Sequence, residues 1–178
     1  KSDFDTGSVL TRAGEAFQKA QDTRQCSEAY RRAADVFAGA GKGNMAANAS
    51  KKLAELIERD LPAFVDGWMA NPLFATQTRL GDDYLSGARA QRLRNDPVAL
   101  ATSLRRASTG RMTPLHDLLD RCTMPVGLVV GGDDAKFVGI AETLARRLPD
   151  AVVHTVEAAG HAAHLEDPAA VAEAIRHT

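Results

Sequence analysis

The chain has 178 residues, and its 22 basic and 23 acidic side chains give a formal net charge of −1. A general nucleic-acid-binding protein needs an excess of Lys and Arg to displace counterions from phosphates, so the balanced charge argues against that class. Hydrophobic residues make up 44% of the chain and charged residues 25%. This composition is typical of a globular protein and argues against a disordered or membrane-spanning one.

The sequence has no apolar run approaching the roughly 18–20 residues that a membrane crossing requires, and its first residues contain no signal-peptide core. We therefore expect a cytoplasmic protein with no membrane partner. Its two cysteines, Cys26 and Cys122, are far apart and lack the spacing of a metal site, which favours two reduced thiols.

The first stretch of the chain, residues 1–51, is predicted to be all helical. Apolar residues recur at helical spacing in two sets: Val9, Leu10, Ala13, Phe17 and Ala20; then Cys26, Ala29, Tyr30, Ala33, Phe37 and Ala40. Glycines 39, 41 and 43 separate the second helix from a third. The alanine and aromatic spacing weakly resembles the helical hairpins of tetratricopeptide proteins, so the origin of this segment stays open.

The middle stretch, residues 52–120, is again mostly helical and is interrupted by prolines. Asp96 before Pro97 is typical of a helix start, with the aspartate as the cap and the proline in the first turn. We interpret this stretch as a helical cap-like region.

The last stretch, residues 121–178, combines strands and helices. The apolar run 126–130 is typical of a strand that is buried on both faces of a parallel sheet. An amphipathic helix over 136–148, a second strand over 151–156 and a helix from about residue 168 follow. The order predicts a parallel, right-handed βαβα unit.

Titratable residues follow both predicted strands. Asp133 and Asp134 come after the first strand and His161 after the second. Because neighbouring parallel strands end at the same edge of a sheet, an aspartate and the histidine can share a hydrogen bond that fixes the imidazole tautomer. The alternative is that the two aspartates only cap the helix that follows and that His161 closes a turn.

Longer motifs connect these residues to a known family. The pattern Gly-x-Asp-Asp-Ala-Lys-Phe begins at Gly131, and Ala-Gly-His-x-x-His-x-Glu-x-Pro begins at Ala159. Together they resemble the C-terminal end of α/β-hydrolase-fold enzymes. Four further segments narrow the resemblance: FVDGWMANPLFA (64–75), RLRN (92–95), ALATSLR (99–105) and STGRMTPL (108–115). With them, the chain resembles the family of 2-succinyl-6-hydroxy-2,4-cyclohexadiene-1-carboxylate synthase of the menaquinone pathway, over about two thirds of its length.

The resemblance implies an α/β fold that contains part of an α/β-hydrolase core: a helical cap and the last two parallel strands, preceded by an all-helical segment. It also implies a lyase that eliminates pyruvate with a Ser-Asp-His triad and uses no metal or organic cofactor. By position, Asp134 matches the triad acid and His161 the triad base. Trp68, Arg92 and Arg94 match cap positions that hold a small anionic substrate, and a guanidinium suits its carboxylates. The alternative is that Trp68 is an ordinary core residue and that Arg92 is a solvated surface residue.

The sequence departs from the family pattern at the nucleophile. No Gly-x-Ser-x-Gly elbow occurs in the 178 residues, although the family places its serine on such a turn before the cap. Gly131-Gly132-Asp133-Asp134-Ala135 occupies a similar turn, but its aspartates already match the acid position. Three explanations remain open: the sequence is a piece of an enzyme, a helical segment is fused to such a piece, or a second chain completes the sheet.

Two functions other than the synthase remain open from the sequence. One is a noncatalytic helical interaction module that carries a remnant of a hydrolase. The other is a different, esterase-like α/β-hydrolase fragment, which also requires a nucleophile.

Overall fold

The computed structural model of the chain describes residues 2–108 and 112–177. Residues 109–111, which belong to the segment 108–115 of the family resemblance, lie outside the described residues.

The chain divides into two compact units. We call Lys1–Asn71 together with Ser86–Thr113 the helical unit, and Pro72–Leu85 together with Pro114–Thr178 the sheet unit. These units do not coincide with the three regions 1–51, 52–120 and 121–178. The difference arises because the predicted first and second regions share one hydrophobic core, whereas residues 72–85 group with the C-terminal residues.

Six α-helices precede the first strand within the described residues, and their bounds are α1 (Asp3–Lys19), α2 (Thr23–Gly39), α3 (Gly43–Arg59), α4 (Leu61–Met69), α5 (Asp82–Leu93) and α6 (Pro97–Ala107). Gly41, between α2 and α3, has a φ of 68°, a left-handed conformation that glycine adopts without a steric penalty. The predicted start of α6 is confirmed, because the Asp96 carboxylate accepts a hydrogen bond from the backbone N–H of Ala99 at 2.7 Å.

The core of the helical unit lies between α1, α2, α3, α4 and α6. Its largest fully buried side chains are Tyr30, Phe37, Leu56, Ile57 and Cys26. Helix α1 approaches α2 closely through glycines: a Cβ on Gly7 would lie 2.5 Å from the Phe37 ring, and one on Gly14 would lie 2.7 Å from the Tyr30 ring. Burial raises the pKa of Tyr30 to about 12. The Cys26 thiol donates to the Gly14 carbonyl oxygen at 3.3 Å.

The sheet unit contains two parallel strands among its described residues, β1 (Val126–Gly131) and β2 (Ala151–Val156). They pair from Val126 with Ala151 to Gly131 with Val156. Helix α7 (Ala135–Ala145) connects them, and α8 (Ala163–Glu166) and α9 (Pro168–Arg176) follow. Two 3-10 segments, Pro72–Leu80 and His116–Arg121, belong to the same unit.

The predicted βαβα order is confirmed, but α7 ends at Ala145 rather than at residue 148. The expectation that β1 is buried on both faces is wrong for this structure. Its residues 126–130 are all partly exposed and only Gly131 is buried, because β1 has a single neighbouring strand among the described residues. No described helix is both long enough and apolar enough to cross a lipid bilayer.

Candidate active site

Asp134 and His161 lie side by side where β1 and β2 end. The imidazole Nδ1 is 2.8 Å from Oδ2 of Asp134. An ionised carboxylate only accepts hydrogen bonds, so Nδ1 carries the proton and donates it, which leaves Nε2 as the basic nitrogen. The Asp134 side chain is almost fully buried, and that of His161 is 29% exposed. The contact expected from the sequence is therefore present.

The second oxygen of Asp134 has a different partner. Oδ1 accepts a hydrogen bond from the backbone N–H of Phe137 at 3.2 Å, which makes Asp134 the cap of α7. The sequence left open whether this aspartate caps the helix or pairs with the histidine. The structure assigns both contacts to one carboxylate, one to each oxygen.

Backbone contacts bring the two strand ends together. The N–H of Gly132 donates to the Val156 carbonyl oxygen, and the N–H of Asp133 donates to that of Ala159, both at 2.9 Å. A Cβ on Gly131 would lie 2.1 Å from the Gly160 carbonyl oxygen. Only a glycine allows this approach, and the approach places the Asp134 and His161 loops within hydrogen-bonding range.

Two aromatic rings flank the imidazole of His161. The Phe137 ring centroid lies 4.5 Å from it, and that of Phe74 lies 5.8 Å from it. Both ring pairs are tilted, at 56° and 50° respectively, an arrangement that aromatic rings favour over face-to-face stacking. The rings restrict the orientations that are open to the imidazole.

Glu166 links the His161 loop to the 3-10 segment Pro72–Leu80. Its Oε1 accepts a hydrogen bond from the Thr76 hydroxyl, and its Oε2 accepts one from the backbone N–H of Gly160, both at 2.9 Å. Arg79 of the same segment donates through Nη1 to Oδ2 of Asp133 at 2.9 Å and to the Ala158 carbonyl oxygen at 2.7 Å.

Trp68 and Arg92, two of the three predicted substrate-binding residues, line one cavity of about 310 Å³ in the helical unit. The Trp68 ring packs 6.0 Å from the Phe64 ring. Nη1 of Arg92 donates to the Ala88 carbonyl oxygen at 2.9 Å, the only hydrogen bond of this guanidinium within the described residues. Most of the cavity wall is apolar: Leu53, Ile57, Phe64, Val65, Leu100, Leu104 and Ala107.

The third predicted residue, Arg94, is exposed and does not line this cavity. Arg94 follows the end of α5 at Leu93, and its role in substrate binding stays a prediction.

Metal ligands do not cluster in the described part of the chain: no group of three or more His, Cys, Asp or Glu residues is arranged to hold an ion.

Sequence reasoning assigned no role to Phe74, Thr76, Phe137 or Glu166. Phe137 and Glu166 lie within the two C-terminal motifs, and their spacing from Asp134 and His161 was a usable signal. Thr76 is 90 positions from Glu166, and no local pattern predicts that the two side chains meet.

The chain is similar to known proteins in both sequence and structure. The family model described as "Alpha/beta hydrolase family" matches residues 7–174. A protein of Bacillus subtilis (strain 168), provisionally named 2-succinyl-6-hydroxy-2,4-cyclohexadiene-1-carboxylate synthase, is 40% identical over 119 residues. That match covers 66% of this chain and 43% of the relative. The synthase of Salmonella heidelberg (strain SL476) is 30% identical over 141 residues, which are 76% of this chain and 53% of that protein.

A solved structure, described as that of MenH from S. aureus, superposes with a TM-score of 0.70 at 30% identity. The superposition covers 74% of this chain and 50% of that one. The chain thus spans about half the length of the relatives that it matches.

Proposed function

Since the chain belongs to the alpha/beta hydrolase family, we propose that it supplies the acid–base pair and the substrate cap of a 2-succinyl-6-hydroxy-2,4-cyclohexadiene-1-carboxylate synthase. The names of its relatives support this activity over ester hydrolysis. The proposed reaction eliminates pyruvate, and it needs no metal or organic cofactor.

The hydrogen bond between His161 and Asp134 is the observation that carries the proposal. With Nδ1 bound to the carboxylate, Nε2 is free to take a proton from a serine hydroxyl. The 178 residues contain no Gly-x-Ser-x-Gly elbow, so in this proposal a second chain supplies the serine. The activated serine oxygen then removes a carbon-bound proton from the substrate, and the carbon–oxygen bond to the leaving enolpyruvyl group breaks. The enolpyruvate takes the proton held by His161 and becomes pyruvate, which restores the neutral imidazole. The buried Asp134 stabilises the imidazolium that forms in between.

The cavity at Trp68 and Arg92 supports a small anionic substrate. A guanidinium at the edge of an apolar cavity binds a carboxylate more strongly than it would in water, because the surroundings compete less for its N–H groups. The indole of Trp68 offers a flat face to a ring. Arg94 is not part of this proposal, since it does not line the cavity.

The test is pyruvate release from the substrate of the synthase, measured with wild-type protein over a range of protein concentrations. We expect His161→Ala and Asp134→Asn each to reduce the rate about 10²- to 10⁴-fold, the range typical of a lost general base. His164→Ala is the matched control, because His164 belongs to the same motif but is exposed.

The dependence of pyruvate release on protein concentration distinguishes the possible outcomes. A specific activity that rises with protein concentration indicates that a second chain contributes to the site. A rate that stays at the uncatalysed level at every concentration contradicts the proposal and favours the helical interaction module.

A further inference from the structure

We propose that Glu166 is a positioning residue for His161 and that it acts through the backbone of Gly160 and the hydroxyl of Thr76. The inference rests on the proposed function only in giving His161 its role as the base. The contacts themselves lie entirely within the sheet unit.

The Glu166 carboxylate binds two donors, one with each oxygen. Oε2 binds the N–H of Gly160, and Oε1 binds the hydroxyl of Thr76. Glu166 is partly buried, and hydrogen bonds to a charged, partly buried acceptor are stronger than those between neutral groups. The two bonds join the turn that precedes the histidine to the segment Pro72–Leu80.

Gly160 packs closely against Thr76. The glycine is buried, and a Cβ on it would lie 2.1 Å from Oγ1 of Thr76. The turn therefore meets the threonine with no room for a side chain. Because Gly160 is covalently joined to His161, holding its N–H fixes the position from which the imidazole extends.

Phe74 lies two residues before Thr76. Its ring centroid is 5.8 Å from the imidazole centroid. The same hydrogen bond from Thr76 thus holds in place one of the two rings that flank His161. Asp134 fixes the rotation of the imidazole, whereas Glu166 fixes the location of the loop and of this ring.

The experiment uses the full chain labelled with ¹⁵N and ¹³C, and it compares Glu166→Gln and Thr76→Val with wild type by NMR. A glutamine amide keeps an acceptor oxygen at only one of the two positions and puts an NH2 group, which accepts no hydrogen bond, at the other. We expect the Gly160 amide to exchange with solvent about five- to tenfold faster, the size expected for one lost hydrogen bond. The His161 ring resonances and their titration midpoint should shift together with this change.

Two variants serve as controls within the same segment. Thr76→Ser keeps the hydroxyl and should restore the wild-type exchange rate and His161 resonances. Thr78→Val removes a hydroxyl that donates to the Ala75 carbonyl oxygen within the segment, and it should change neither readout.

Unchanged Gly160 exchange and unchanged His161 resonances in both Glu166→Gln and Thr76→Val would overturn the inference. Equal effects from Thr78→Val would also overturn it, because they would assign the change to the segment as a whole. Neither readout requires turnover. If the protein releases no pyruvate, the proposed function is wrong, but the NMR comparison still tests the role of Glu166.

Discussion

The helical unit and the sheet unit achieve close packing in different ways. In the helical unit, a methyl group added to Gly7 or Gly14 would meet the aromatic rings of Phe37 and Tyr30. In the sheet unit, a methyl group added to Gly131 would meet the backbone carbonyl oxygens of Ala159 and Gly160.

The difference shows how each unit would respond to a side chain added at these glycines. A side-chain ring can turn or shift to relieve a contact, whereas two hydrogen-bonded strand ends cannot separate without breaking their backbone bonds. The helical unit is stabilised mainly by buried apolar side chains. The sheet unit has a smaller core, built around Val156, Ala159 and Ala163, and hydrogen bonds at its strand ends fix the geometry of the candidate site.

The largest expected effect is the loss of a buried ring in the helical unit. Phe37 is 2% exposed, and Phe37→Ala should lower the free energy of unfolding by about 3–5 kcal/mol in urea denaturation. Phe4, which is 47% exposed, provides the control, since Phe4→Ala should change stability by about 0.5 kcal/mol at most. Equal losses from the two variants would remove the distinction that we draw for this unit.

A smaller loss is expected from adding one methyl group at the strand ends. Gly131→Ala should destabilise the protein by about 1–3 kcal/mol, because the new Cβ would overlap backbone atoms. Gly139 lies within α7 and has no atom within 4 Å of an added Cβ. Gly139→Ala should therefore raise stability by about 0.5–1 kcal/mol. If Gly131→Ala raises stability as Gly139→Ala does, the backbone contact at Gly131 does not exclude a side chain.

Because the phenol of Tyr30 is buried, we expect the protein to lose stability at alkaline pH. The folded-state pKa of Tyr30 is about 12, above the ordinary value of about 10, so the unfolded chain ionises first. The stability that this raised pKa contributes is complete below pH 10 and falls as the pH rises toward 12. At pH 11 wild type should have lost about 1 kcal/mol more than Tyr30→Phe. Tyr84→Phe, which changes a partly exposed tyrosine, should keep the wild-type dependence.

The smallest effect concerns an exposed ion pair in the helical unit. Arg89 donates two hydrogen bonds to Asp66, and these lower the pKa of Asp66. Because the folded pKa is lowered, the stabilisation is present above the ordinary pKa of an aspartate and disappears as the pH falls through the folded value. Asp66→Asn should reduce the melting temperature at pH 7 by about 1–2 °C and have no effect in strong acid. Asp150→Asn is the exposed control, and an equal shift for it would contradict the assignment to this pair.

The parts of the site that depend on residues close in sequence, or on aligned strand ends, could be predicted from the sequence. Asp134 and His161 each follow a strand directly, and parallel strands align their ends, so their contact could be expected. Cap residues such as Asp96 were also predictable, because a cap bonds to a residue three positions away. The hydrogen bond between Thr76 and Glu166 joins residues that are 90 positions apart in the sequence. Neither periodicity nor motif spacing predicts a contact at that separation. Arg94 was predicted from its position in the family motif, and the structure places it after the end of α5 and outside the residues that line the cavity.

The shared carboxylate of Asp134 has a consequence for protein engineering. Since one oxygen begins a helix and the other orients an imidazole, neither task can be redesigned alone. Anyone who grafts this acid–imidazole pair onto another scaffold must bring the first turn of the helix with it. A graft of the two side chains by themselves would leave the aspartate free to rotate away from its ring partner.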